Sequence, residues 1–123
     1  MAFTAGKGLL RFKSALLWEI ETLILEQNSG FTLVARKKRI PIGGDDSPLD
    51  LLFYHRKLKQ LVAIELKLGK FKPEFRHQME LYLCWLRKHE QEPDEAEPIG
   101  LILCAKENRG EIKLLPNSGD TIL

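Results

Sequence analysis

The sequence has only two cysteines, Cys84 and Cys104, among its 123 residues. Both lie in apolar patterns without metal-ligand spacing, so a four-ligand structural zinc site has no support. In a reducing compartment such a pair stays as buried free thiols rather than a disulfide. Long apolar runs are missing as well. Stretches such as Leu61 to Ile64 and Ile99 to Cys104 fall far below the roughly 20 residues needed to cross a bilayer. The N-terminal stretch MAFTAGKGLLRFKSALLWEIE is interrupted by Arg11, Lys13 and Glu19. It therefore does not read as a secretory signal, and a cytoplasmic protein is expected. His55, His77 and His89 show no ligand spacing and read as exposed. There is no internal repeat and no low-complexity tail.

Apolar residues make up 44% of the chain and charged residues 29%, the composition of a soluble globular protein. The length suits one domain over residues 1–123, a stand-alone version or fragment of a larger protein. The net charge of +2 says little about partners, but its distribution says more. Arg36, Lys37, Lys38, Arg39, Arg56, Lys57, Lys59, Lys67, Lys70, Lys72 and Arg76 crowd the middle of the chain, whereas Glu90, Glu92, Asp94, Glu95 and Glu97 gather in one later stretch. Two readings stand: one polarised face for a polyanion, or a set of solvated strand ends and turns.

Residues 9–28 carry helical periodicity through Leu9, Leu10, Leu16, Leu17, Ile20, Leu23 and Ile24, with Asn28-Ser29-Gly30 as a stop. Phe31 to Ile40 reads as a strand that grows basic toward its end. Pro41 and the cluster Gly43-Gly44-Asp45-Asp46-Ser47-Pro48 read as a turn. Leu49 to Tyr54 and Leu61 to Leu68 are two further strands, joined by the short polar connection His55 to Gln60. A helix begins at Pro73, which is tolerated in a first turn. Its face is Phe75, Met79, Tyr82, Leu83 and Leu86, and it runs to about Lys88. The acidic stretch Glu90 to Pro98 is a surface loop, Ile99 to Cys104 a buried strand, and Glu111 to Leu115 a final short strand. This order makes a mixed sheet flanked by helices.

Chemistry concentrates in LDLLFYHRKLKQLVAIELKLGK. Strand side chains alternate between faces, so Glu65 and Lys67 share one face. A hairpin turning at Lys57-Leu58 pairs positions that sum to 115 and sets Asp50 across from Glu65. Like charges directly opposed are destabilising, and carboxylates inside apolar strands are costly to bury. A hard divalent cation such as Mg²⁺ gives such a pair a reason to exist. Lys67 would add positive charge where a phosphoryl group reacts. The other reading of the same residues is that Asp50 and Glu65 simply pair with neighbouring lysines or arginines. A one-residue slip in register would separate them altogether.

At these residues the sequence resembles the PD-(D/E)XK nuclease superfamily, and most of all the C-terminal nuclease domain of the bacterial YhcG-like family. The resemblance runs from about Leu16 to Leu115 and is carried by GFTLVARKKRI, GGDDSPLDLLFYHRKLKQLVAIELKLGKFKPEF and IGLILC. It implies an α/β (α+β) mixed-sheet fold with a restriction-endonuclease-like core of helix, three strands, helix and strand. It also implies a nuclease, with DNA as the expected substrate, in a repair, recombination or defence setting. Asp50 and Glu65 match the superfamily's metal-binding acids, Leu66 its carbonyl ligand and Lys67 its lysine, with Mg²⁺ as cofactor and Mn²⁺ as substitute. Many members carry a further glutamate on the first helix; Glu19 is the expected residue and Glu21 the second choice. Dimers are common in the superfamily, so a homodimer is an expectation too. One departure is that Leu49 stands between Pro48 and Asp50.

Gln78 and Tyr82 are similar to a Gln-x-x-x-Tyr pattern of some such nucleases, which would turn Gln78 toward the site. Lys70, Lys72 and Arg76, just beyond the Glu-x-Lys strand, are the expected phosphate contacts, joined by Arg36 and Lys38. Asp45 and Asp46 read as turn residues, and Trp18 and Trp85 as core or helix-packing residues. A different class also fits the sequence: a nucleic-acid-binding module that keeps the fold without cutting, the more so because full-length YhcG-like proteins carry a further helical domain.

Overall fold

Gly43 and Gly44 adopt φ of 58° and 90°, the two positive values that a type I′ turn demands and that glycine supplies without strain. They close a long antiparallel hairpin between β1 (Phe31–Ile42) and β2 (Asp45–His55). The structure, a computed structural model, describes residues 5–27, 30–108, 111–114 and 120–122. The expected turn over 41–48 therefore shrinks to two residues, because Pro41↔Asp46 and Ile42↔Asp45 continue the ladder. Pro41 is compatible with pairing because β1 is an edge strand. Asn28, Ser29 and Leu115, expected at element ends, lie outside the described residues.

β2 turns through residues 56–59 into β3 (Gln60–Leu68), with His55↔Gln60 to Leu51↔Ile64 in register. These pairs sum to 115, the register expected from the sequence. α2 (Pro73–His89) crosses over to β4 (Ile99–Asn108), which runs parallel to β3. β5 (Glu111–Leu114) and β6 (Asp120–Ile122) pair antiparallel with opposite ends of β4. β6 had no counterpart in the sequence reading. The result is a six-stranded mixed sheet in the order β1-β2-β3-β4-β5, with β6 beside β4.

Each helix covers one face of this sheet. α1 (Ala5–Gln27) lays Leu16 and Leu17 on Leu51, Phe53, Val62, Ile64 and Leu66. α2 buries Met79, Tyr82, Leu83 and Leu86, the i, i+3, i+4, i+7 stripe, on Ile40, Leu49, Leu52, Ala63 and Ile102. With helices on both faces, β3 is buried from Leu61 through Leu66, which explains its nearly continuous apolar run. A bulge between Leu33↔Phe53 and Ala35↔Leu52 inserts Val34 into β1. It lets Phe31 and Leu33 join the α1 core while Ala35, Ile40 and Ile42 join the α2 core.

Candidate active site

The ladder between β2 and β3 ends at Leu51↔Ile64, and the two acids occupy the gap that follows. The Asp50 N–H donates to Glu65 Oε1 at 2.8 Å, and the Leu66 N–H donates to Asp50 Oδ2 at 2.8 Å. Each carboxylate thus satisfies a backbone donor that the parting strands would otherwise orphan. Both side chains are buried, with Asp50 and Glu65 each 3% exposed. Burial, followed by the charge of Asp50, pushes the Glu65 carboxyl up to about 7, while Lys67 and Lys13 oppose the shift.

Two lysines face these acids from opposite sides of the sheet. Lys67 Nζ lies 3.3 Å from Glu65 Oε2, donates to Gln78 Oε1 at 2.9 Å and sits 5.0 Å from the Phe75 ring centroid. Gln78 on α2 thereby orients the lysine. Four residues on, Tyr82 is fully buried and its hydroxyl donates to the Pro48 carbonyl at 3.2 Å. Burial and then the neighbouring Glu65 charge raise the Tyr82 hydroxyl above its ordinary value. From α1, Lys13 Nζ reaches Asp50 Oδ2 at 3.1 Å. In the sequence Lys13 stands out only as an interruption of an apolar stretch. Its i, i+4, i+8 spacing with Leu17 and Glu21 was the available signal.

Glu19, the expected helix acid, is exposed on α1, and the structure does not bring it to Asp50 and Glu65 by any hydrogen bond or ion pair among the described residues. Glu21 turns inward instead, 5% exposed, and accepts two bonds of 2.6 Å from Arg36 Nε and Nη2. A bidentate pair of this kind fixes both side chains. The Glu21 hydrogen bond is the main reason that the Arg36 guanidinium is held above its ordinary value.

Several of the basic residues have acidic partners. Lys38 turns to Glu90 at 3.1 Å and to the Trp85 ring, Lys59 to Asp94 at 3.3 Å, and Arg76 to Glu80 at 3.2 Å. Ala96 N–H donates to the Lys59 carbonyl and Gln60 to the Glu97 carbonyl, so the acidic loop packs on the 56–59 hairpin. Lys70 and Lys72 are exposed just past β3. Asp46 pairs in the hairpin ladder, and the side chain of Asp45 lies outside the described residues. His77 and His89 are exposed, but His55 is half-buried, 4.6 Å from the Phe31 ring, and accepts the Leu58 N–H. Cys84 and Cys104 are free, the first half-buried and the second buried. Trp85 packs against the α2 core, whereas Trp18, expected there too, is 63% exposed.

Among the described residues no three His, Cys, Asp or Glu side chains converge as a metal site. What converges is two carboxylates. Among the described residues the Leu66 N–H and Lys13 both reach Asp50 Oδ2 rather than Oδ1, and Lys67 reaches Glu65 Oε2. Two hard oxygen donors completed by water suit Mg²⁺ rather than zinc.

A mixed sheet between two helices, with an acid on the second strand and Glu-x-Lys on the third, defines the PD-(D/E)XK nuclease class, whose core is restriction-endonuclease-like. Residues 10–120 match the family described as the YhcG PDDEXK nuclease domain, and the chain belongs to that family. Nucleases of this class usually employ divalent metal ions and act on nucleic acid. The chain is 40% identical over 100 residues to "Putative nuclease YhcG" of Escherichia coli (strain K12), which covers 81% of the chain and 27% of that relative. It thus spans about a quarter of the relative's length. No solved structure matches it. Among the described residues no helix is long and apolar enough to cross a membrane.

Proposed function

We propose that this domain hydrolyses phosphodiester bonds in DNA with Mg²⁺, or Mn²⁺ in its place, held by Asp50, Glu65 and the carbonyl of Leu66. The observation that carries this reading is the burial of two like-charged acids in the gap where β2 and β3 part. Two like charges so placed are costly to the fold, and a bound cation would offset that cost. Bound there, the ion would polarise the phosphoryl group and lower the pKa of a bound water. Lys67, steadied by Gln78, sets a positive charge where negative charge develops on the phosphoryl oxygens. Glu65 must release its proton to bind a cation, and a carboxyl pushed up to about 7 is part-protonated near neutrality. Lys70, Lys72 and Arg76 then contact backbone phosphates on the adjoining surface. The two free thiols agree with a cytoplasmic setting.

The test is cleavage of supercoiled, linear and branched DNA with Mg²⁺ or Mn²⁺. Loss of cutting in Glu65→Ala and Lys67→Ala, with folding intact, is the expected result. Unchanged cutting in both variants would sink the assignment. A second reading is a metal-free nucleic-acid-binding module, favoured by the fact that Asp50 and Glu65 each already touch a lysine. Such a module would show salt-sensitive DNA affinity and no thermal response to Mg²⁺.

A further inference from the structure

Beside Asp50 lies a cavity of about 170 Å³ that the proposed cleavage does not use. Its lining combines the apolar Leu17, Trp18 and Leu51 with the cations of Arg36 and Lys37, and it also includes the carboxylates of Glu21, paired with Arg36, and Asp50. Pockets that enclose drug-sized ligands measure roughly 300–1,000 Å³, so this one is on the scale of a single ring system. Trp18 is 63% exposed, although an indole in water loses the burial that makes tryptophan favourable in a fold. The cations beside it are arranged with unusual constraint. Arg36 is fixed by its two bonds to Glu21. Lys37 is exposed with φ of 50°, a left-handed conformation that strains a lysine backbone and persists where the surroundings impose it. Lys37 forms no ion pair among the described residues.

We propose that this cavity receives one unstacked nucleobase of a DNA strand that passes over Asp50. The base stacks on Trp18, and Arg36 and Lys37 meet the phosphates on either side. Every base offers a π-face, so such a platform is indifferent to sequence. It demands an unpaired position instead, which makes single-stranded or flapped DNA the preferred class. The proposal rests on reading the Asp50–Glu65 gap as the place of cleavage.

The experiment uses Trp85→Phe protein, so that Trp18 alone reports by fluorescence. It is titrated in EDTA with a short oligothymidylate, and a fully paired duplex of equal length is followed by anisotropy. The expected result is saturable quenching of Trp18. Trp18→Ala should weaken oligothymidylate binding about 5- to 150-fold, the range of base–aromatic stacking, with duplex binding unchanged. Trp18→Phe should recover most of the loss. Equal oligothymidylate affinity in Trp18→Ala and its parent would overturn the proposal, as would an equal loss on both DNAs. Quenching in a protein that leaves DNA uncut with Mg²⁺ would keep the pocket and contradict the cleavage reading. Cutting with no effect of Trp18→Ala would contradict the pocket alone.

Discussion

The backbone of Asp50 donates to the side chain of Glu65 across 2.8 Å, and the Asp50 carboxylate accepts the N–H of the residue that follows Glu65. The two acids are therefore held together by main-chain bonds despite their like charge.

That arrangement destabilises the metal-free protein in a pH-dependent way. Glu65 titrates from 4.5 unfolded to about 7 folded, chiefly because it is buried and secondarily because of Asp50. The folded state binds the extra proton, so the contribution of Glu65 to stability is fully present below 4.5 and is lost as pH rises through about 7. Glu65→Gln abolishes this titration while its amide oxygen still accepts the Asp50 N–H. Thermal melts in EDTA should show Glu65→Gln more stable than the parent at pH 8, by about 1–3 kcal/mol, with the gap closing toward pH 5. A gap that stays constant with pH would contradict it.

Divalent cation should reverse the same penalty. In the parent, Mg²⁺ should raise the melting temperature at pH 8 and do so weakly at pH 6, because a proton competes for Glu65. Calorimetric affinity should fall by about tenfold per pH unit below 7. Glu65→Gln should show little response at either pH.

Much of this pairing was legible because Leu51, Phe53, Val62 and Ile64 share a face, which fixes the parity of the β2–β3 register. A turn centred on Lys57-Leu58 then gives the sum of 115 that the structure shows. The choice between Glu19 and Glu21 was not legible, because distance from Gly30 does not say which face of α1 an acid takes. Leu23 is 59% exposed, whereas Leu17, Ile20 and Ile24 pack on the sheet, and Glu21 turns inward with them. Turn-forming residues hid the outer end of the β1–β2 hairpin, since Asp46 and Pro48 are poor strand residues in isolation. Ion pairing across distant segments, as in Lys59 with Asp94, leaves no trace in sequence.

Arg36 should matter through Glu21. Removing the guanidinium strands a carboxylate that is 5% exposed, and an uncompensated buried charge is worse than no charge at all. Arg36→Ala should therefore lower the melting temperature more than Glu21→Gln. The double variant should recover part of the loss, as a double-mutant cycle would read. Additive effects would place the pair outside the fold's energetics.

Gly100 tests how closely α2 rests on β4. A Cβ there would lie 2.5 Å from Met79 Cγ and Sδ, and Met79 is fully buried. Gly100→Ala should cost about 1–3 kcal/mol through overpacking, read by urea denaturation. Met79→Val should relieve part of that cost. No change in stability would show that Met79 can move aside.

The central claim is that Asp50 and Glu65 hold a divalent cation. Crystals soaked in Mn²⁺ at pH 8 and measured for anomalous scattering test it most directly. A peak between the Asp50 and Glu65 carboxylates, absent from Glu65→Gln crystals, is the result expected. An empty gap with Lys13 and Lys67 still against the acids would contradict it.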